Sequence, residues 1–445
     1  MTRTEPARGM RDFLPEDVRR RSFVIGVIAG VYEQYGFEPL ETPAAENIET
    51  LLGKYGEEGN RLIFKILKRG EHEASGQADL ALRYDLTVPL ARVMAEHRAA
   101  LPRVFMRYQI QPVWRADRPA RGRFREFYQC DVDTVGPTAP VVEAELCAAV
   151  SEALAALGFK EFEIRLNHRG LLTAILESAG VPNAAHASAL VALDKLDRLG
   201  VEGVSKELVE RGVEEHSVAR LLDLFGTPPS ADSLDAAARF VGDHAVGTSA
   251  LENLRAIVTL SGNTAAAGRI RFDPSLARGL SYYTGAIMEI TVPDLAGSLG
   301  GGGRYDNLIG MFAGQTLPAC GFSLGLERIL VVMGERGMFP PTLAMEPADV
   351  LVSMLRGDEA AGALLVASVL RRSGLRVMVY PDADKIGKQI KYASARCIPC
   401  VAILGEDEIL RGDVTLKYLA SGHQETVTLD RAGAAVRESV REARG

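Results

Sequence analysis

Two arms of alternating character joined by a proline-and-glycine turn set the first limit on how this chain folds. Residues 103–136 read RVFMRYQIQPVWRADRPARGRFREFYQCDVDTVG, with seven arginines and the only tryptophan gathered around Arg118-Pro119-Ala120-Arg121-Gly122. A turn of that composition between two strand-length alternating runs specifies a strand, a loop and a returning strand. On the outgoing arm Tyr108, Ile110, Pro112 and Trp114 have the parity opposite to Arg107, Gln109, Gln111, Val113 and Arg115. One face is therefore expected to pack while the other carries polar groups, with Arg115 aimed from a rigid element toward a site. On the return arm Arg123, Arg125, Phe127, Gln129, Asp131 and Asp133 stand in file. Arginine's planar fork suits phosphate and stacks on rings, so this file fits a nucleotide at one end and a polar small molecule at the other. A solvated, charge-studded hairpin satisfies the same pattern, and the rest of the chain has to decide between them.

Composition narrows the partners. At 445 residues, 47% hydrophobic and 24% charged, the chain is soluble globular material with room for two or three domains. A net charge of -7 gives no general attraction to nucleic acid, so any such partner has to be met by local basic patches. Five cysteines, scattered and odd in number, argue against a disulfide framework and for a reducing compartment. No apolar run approaches the roughly 18 residues of a membrane span, and Met1 to Pro6 has no signal-like apolar core behind it. A cytoplasmic protein with no membrane partner is expected.

Upstream of the hairpin, Pro15 stands where a helix would begin, and Val24, Val27, Ile28, Val31 and Tyr35 recur at helical spacing until Gly36. The extended GFEPLETP stretch that follows reads as an edge strand. Helix and strand together suit either a partner subunit or the chain's own domain. In LRYDLTVPL, Asp85 and Thr87 share a parity with Arg83 on an expected strand, two short acceptors that suit an ammonium group. From Gly170 to about Gly262 nearly everything reads as helix, an expected insertion. Beyond it come ARGLSYYTG and the loop-like run Gly300-Gly301-Gly302-Gly303. A small-residue strand then enters a helix carrying Arg328, and Gly321 and Gly325 leave room there for a flat ring. After a proline-rich stretch ending at Pro347, the order strand, helix, strand, helix, strand predicts a separate α/β domain with a largely parallel sheet. Its most basic helix carries Lys385, Lys388 and Lys391. Cys397-Ile398-Pro399-Cys400 has redox spacing but runs into a strand instead of opening a helix, against a thioredoxin-like role.

Taken in order, these stretches resemble the histidyl-tRNA synthetases, members of the class II aminoacyl-tRNA synthetases, over nearly the whole length. The opening helix with GFEPLETP resembles class II motif 1, VWRADRPARGRFREFYQCD motif 2 and GFSLGLERIL motif 3. LRYDLTVPLAR and RGLSYYTG are similar to the histidine-specific segments. Asp85 stands where another branch of the family has glutamate, and Ser281 where many members have aspartate.

The resemblance implies an α+β catalytic domain over 1–336 with a mostly antiparallel class II synthetase sheet and a helical insertion at 170–262. A C-terminal α/β anticodon-binding domain over 347–445 follows. It implies that Arg115 holds the α-phosphate of ATP, that Arg328 and Phe127 sandwich adenine, and that Arg123 lies near the outer phosphates. Arg278 would act at the α-phosphate beside the histidine carboxylate. Asp85, Thr87 and Gln129 would receive the α-amino group, and Asp133, Tyr282 and Tyr283 would bound the imidazole. ATP with Mg2+, L-histidine, tRNA(His) and a homodimer follow as expected cofactors and partners. A catalytically inactive, synthetase-like regulatory subunit of histidine biosynthesis is the alternative. Such paralogues tend to lack the C-terminal domain and to lose phosphate-binding arginines, and this chain has done neither.

Overall fold

The computed structural model describes residues 4–70, 75–226, 232–277, 282–293, 295–343, 347–405, 408 and 411–444. The chain divides into two compact units, Met1–Phe339 and Pro340–Gly445.

In the first unit the strands are β1 (Glu38–Pro39), β2 (Ala45–Asn47), β3 (Lys65–Leu67), β4 (Ala78–Leu82), β5 (Phe105–Trp114), β6 (Glu126–Val135), β7 (Glu163–His168), β8 (Ile270–Phe272), β9 (Ala286–Thr291), β10 (Gly300–Arg304) and β11 (Ala319–Gly325). Among the described residues they form a three-stranded sheet, β2-β4-β3, and an eight-stranded one in the order β1-β5-β6-β11-β10-β9-β7-β8. The large sheet is antiparallel except at its two ends, where β1 joins β5 and β8 joins β7 in parallel. The hairpin is β5 and β6, which run side by side from Phe105↔Val135 to Trp114↔Glu126.

One face of this sheet is covered by helices. Pro15–Gln34 starts with proline at its first position and Glu16 and Asp17 in its first turn, both favourable at the positive end of the helix dipole. It stops at Gly36, whose φ of 81° lies in the left-handed region open to glycine. Between these ends Val24, Ile28, Val31 and Tyr32 are buried, each worth about 1.5–3 kcal/mol. They share one hydrophobic cluster with Leu146 and Val150 of helix Val141–Ala156 and Ile329 of helix Leu326–Glu335. Among the described residues from 170 to 262, helices follow one another from Arg169–Ser178 through Ala245–Ser261. Leu171 and Ile175 of its first helix and Leu251 and Leu254 of its last lie in that same cluster, so these two helices complete the core of the sheet.

Three local expectations change. The polar parity of β5 is the more buried one: Arg107 and Gln109 are 0% and 1% exposed, while Tyr108 and Ile110 lie half-buried against the core. Asp85 and Thr87 do not share a strand, because β4 ends at Leu82 and Thr87 begins helix Thr87–Glu96. Pro89 has no N–H to lose in a first helical turn, and the Asp85 carboxylate accepts the Val88 amide at 3.1 Å. Gly300 to Gly303 form a strand, not a loop, between β9 and β11. A Cβ on Gly302 would fall 2.1 Å from the Gly321 carbonyl oxygen, so the close approach these glycines permit is between neighbouring strands.

The second unit holds β12 (Val350–Val352), β13 (Val377–Val379), β14 (Cys400–Ile403), β15 (Asp413–Tyr418) and β16 (Gln424–Thr428) in the order β13-β12-β14-β15-β16. The first three are parallel, but β15 and β16 join antiparallel, so the sheet is mixed where a largely parallel one was expected. Cys397 follows helix Ile386–Ala395 and Cys400 is buried on β14, where burial pushes its thiol up to about 12. A redox pair opens a helix with its reactive thiol, whereas Cys397 follows one and the Cys400 thiol is raised.

Candidate active site

The face of the large sheet opposite the helices carries a cleft of about 540 Å³. Ten of the eleven side chains singled out from the sequence line it: Asp85, Thr87, Arg115, Arg123, Phe127, Gln129, Asp133, Tyr282, Tyr283 and Arg328. The eleventh, Arg278, lies outside the described residues.

Strand register builds the floor. Arg107, Asp133, Gly321 and Gly303 stand directly opposite one another across β5, β6, β11 and β10. The two glycines leave space for their neighbours. A Cβ on Gly321 would fall 1.8 Å from Asp133 Oδ1, and one on Gly303 2.9 Å from the Tyr283 ring. The room at Gly321 thus belongs to the Asp133 carboxylate, not to the flat ring expected there. In the adjacent row Gln109, Asp131, Ser323 and Gly301 line up, and Gln129 Nε2 donates to Ser323 Oγ at 2.8 Å.

At one end the floor is rich in buried carboxylates. Asp85 accepts hydrogen bonds from Tyr55 at 3.0 Å and Tyr282 at 3.2 Å in addition to the Val88 amide. Asp133 accepts from the Tyr305 hydroxyl and lies 2.9 Å from Arg107 Nη2, and Asp131 lies 3.9 Å from the same nitrogen. Burial raises the pKa of Asp85, against the Val88 amide, the Arg115 charge and the two tyrosines. Burial also pushes Asp131 up to about 7, opposed by Arg107 and reinforced by Asp133. Asp133 is raised by burial as well, against Arg107 and Tyr305. Three buried carboxylates at one end of the cleft favour a ligand that brings N–H donors or positive charge.

Toward the other end the cleft is lined by arginines and rings. Arg115 Nε donates to the Tyr84 carbonyl at 3.0 Å, and its guanidinium lies 4.3 Å from the Tyr84 ring centroid and 5.2 Å from that of Phe127. Gln129 accepts from Arg115 Nη2 at 3.4 Å, which links the two ends. Arg123, half-exposed, pairs with Asp117 at 2.9 Å. Arg328 donates to the Ser298 carbonyl and passes beside Gly122 and Gly297, where a Cβ would come within 3.3 Å of its Cγ and 2.9 Å of its Nη1. These arginines offer fixed donors to phosphate and a flat surface to an aromatic base.

Sequence reasoning left some functional groups unassigned. Asp131, Ser323 and Tyr305 line the same cleft. Asp131 stood in the alternating file and was recoverable from parity. Tyr305 was not, because only the fold brings its hydroxyl to Asp133, 172 positions away. The paired tyrosines also divide: Tyr282 reaches Asp85, while Tyr283 lies over Gly303 in the row of Asp133.

Comparison with known proteins gives the family of the chain. The histidyl-tRNA synthetase family profile matches residues 9–329, and an anticodon binding domain profile matches residues 349–439. The histidine--tRNA ligase of Christiangramia forsetii is 40% identical over 440 residues, covering 94% of this chain and 96% of its own. The crystal structure of histidyl-tRNA synthetase from Nostoc sp. PCC 7120 superposes with a TM-score of 0.78 at 30% identity, over 99% of this chain and 100% of the other. A structure from Bacillus halodurans, described as an ATP phosphoribosyltransferase regulatory subunit/histidyl-tRNA synthetase, shares the fold, with a TM-score of 0.71 at 22% identity over 87% and 97% of the two chains. With a profile match across most of its length and a 40% identical relative aligned nearly end to end, the chain belongs to the histidyl-tRNA synthetase family.

Proposed function

We propose that this cleft activates L-histidine with ATP and that the chain passes the histidyl group to the 3′ end of tRNA(His), the reaction of a histidine–tRNA ligase. The observation that carries this is the convergence of phosphate-suited arginines and buried carboxylates on one sheet face, joined through Arg115 and Gln129. A histidine carboxylate oxygen attacks the α-phosphorus of ATP, the bond to the bridging oxygen breaks, and pyrophosphate leaves. A terminal ribose hydroxyl of the tRNA then attacks the acyl carbon and AMP leaves. Neither step needs a covalent enzyme nucleophile; both need charge stabilisation and alignment.

In this reading Arg115 holds the α-phosphate, assisted by Arg278, with Arg123 toward the outer phosphates and Arg328 and Phe127 on either side of adenine. Asp85, Thr87 and Gln129 receive the α-ammonium, while Asp133 and Tyr283 face the imidazole. The contact of Tyr282 with Asp85 supports placing Tyr282 at the amino end. Mg2+ would neutralise charge on the outer phosphates when bound there. The other carboxylates that line the cleft, Asp117, Glu289 and Glu327, are already paired with Arg123, Arg165 and Arg21. Among the described residues no three metal-ligating side chains converge. The residues do not fit a protein-held magnesium cage, and no step is assigned to one.

Purified protein with ATP and Mg2+ is expected to catalyse histidine-dependent exchange of pyrophosphate into ATP; a flat trace would sink the proposal. For the tRNA, the second unit offers Lys385, Lys388 and Lys391, exposed on and beside helix Ile386–Ala395. No described helix is long and apolar enough to cross a membrane. A homodimer belongs to the same proposal. Helix Pro15–Gln34 is preceded by Leu14, 69% exposed, and carries Val18, 46% exposed, while β1 forms an edge of the large sheet. Sedimentation at micromolar concentration is expected to give twice the chain mass, and a monomer would count against this part.

A further inference from the structure

We propose that Arg107 is a positioning residue for imidazole selection, a proposal that rests on the histidine-pocket reading above. Arg107 is 0% exposed and does not line the cleft; it acts from behind, directly opposite Asp133 across the β5–β6 pair. Its Nη2 lies 2.9 Å from Asp133 Oδ2 and 3.9 Å from Asp131 Oδ2. Its other contacts are Nη1 to Gln109 Oε1 and Nη2 to the Leu86 carbonyl, both at 3.3 Å, and its Nε finds no hydrogen-bond partner among the described residues. A buried ion pair with an unfilled N–H is a poor device for stability alone, since apolar side chains of similar volume often do as well or better.

The cluster makes more sense as preparation for a ligand. Two buried carboxylates share one guanidinium, so with both ionised one negative charge stays uncompensated. Asp133 Oδ1 is occupied by the Tyr305 hydroxyl, and Oδ2 accepts no aligned hydrogen bond among the described residues despite the nearby Arg107. Arg107 at Oδ2 thus opposes the protonation that burial favours at Asp133, and Tyr305 fixes the carboxylate plane through Oδ1, the oxygen that lies over Gly321 on the cleft floor and keeps a second lone pair for an imidazole N–H. An analogue that lacks the N–H would cover that lone pair without giving it a donor and is therefore bound less tightly. Without Arg107 the floor takes up a proton and loses that acceptor. The groups that face Asp133 are Arg107, Asp131, Asp85, Tyr283, Tyr305 and Cys320; Arg107 is the cation that opposes its burial.

The test compares Arg107→Met, Arg107→Lys and the double variant Arg107→Met with Asp131→Asn in pyrophosphate exchange. The double variant removes one charge of each sign and covers the case in which Arg107→Met alone does not fold. In both methionine variants the KM for histidine is expected to rise about 10-fold or more, with the KM for ATP within about two-fold of wild type. Arg107→Lys is expected to recover most of the loss. Because Arg107 lowers the Asp133 pKa, its removal is expected to move the acid limb of kcat/KM for histidine to higher pH. A folded double variant with the wild-type histidine KM and an unmoved acid limb would overturn the proposal, as would equal rises in both KM values. An inactive wild-type protein would instead sink the ligase reading itself.

Discussion

Arg115→Ala is expected to lower kcat for histidine-dependent pyrophosphate exchange by about 10²–10³-fold, the usual effect of removing one preorganised donor from a developing oxyanion. The structure explains why so much rests on this side chain. Its Nε is spent on the Tyr84 carbonyl and its plane on the Tyr84 ring, which fixes the guanidinium, while Nη2 reaches Gln129. One group therefore ties the expected phosphate site to the expected amino-acid site. Negative charge at the α-phosphorus grows as the carboxylate attacks, so the loss should fall on kcat more than on the KM for ATP. Steady-state exchange at varied ATP checks this, and equal effects on kcat and KM would contradict the transition-state role. The growth of charge at the α-phosphorus, without any argument from packing, gives the same expectation for Arg278→Ala.

Gly321→Ala is the second large effect, and it enters from the other side of the pocket. The added Cβ would fall 1.8 Å from Asp133 Oδ1 and 2.5 Å from its Cγ. Asp133 has little freedom to give way, because Arg107 lies against one oxygen and Tyr305 bonds the other. We expect kcat/KM for histidine to fall by at least about 100-fold, about 2.7 kcal/mol of transition-state binding. The KM for ATP should change little. Overpacking of this kind costs about 1–3 kcal/mol of stability, so the variant should still fold. Exchange kinetics at varied histidine, with a thermal melt beside them, decide the matter. A histidine KM within two-fold of wild type would show that Asp133 has no part in selecting the substrate.

The residues that could be read early are those whose signal is periodic or local. The β5–β6 hairpin follows from two alternating arms and a turn, and helix Pro15–Gln34 from a proline start, an apolar stripe and a glycine stop. The parallel start of the second unit follows from alternating strand and helix patterns, whereas its two antiparallel strands carried no such cue. Asp85 and Thr87 were found as functional candidates but set on the wrong element. A short stretch of mixed character does not show whether a proline ends a strand or sits in the first turn of a helix. Four successive glycines permit a flexible loop or a close backbone approach alike, since glycine weakens a strand's propensity; packing between two strands decides for the strand.

The chain's own order of residues determined which chemistry is present: guanidiniums, rings and carboxylates alternating along one arm, with matching groups before and after it. Alternation has a period of two whatever lies on either side of a sheet, so it sorted Arg107 from Tyr108 without telling which face would be dry. Tertiary structure decided that. Helices cover the Tyr108 face, and the polar face closes over Arg107 and Asp133. Pairings such as Arg107 with Asp133, Asp133 with Tyr305 and Tyr282 with Asp85 span 26 to 197 positions of chain. They depend on register across strands brought together by the fold, which no local pattern encodes.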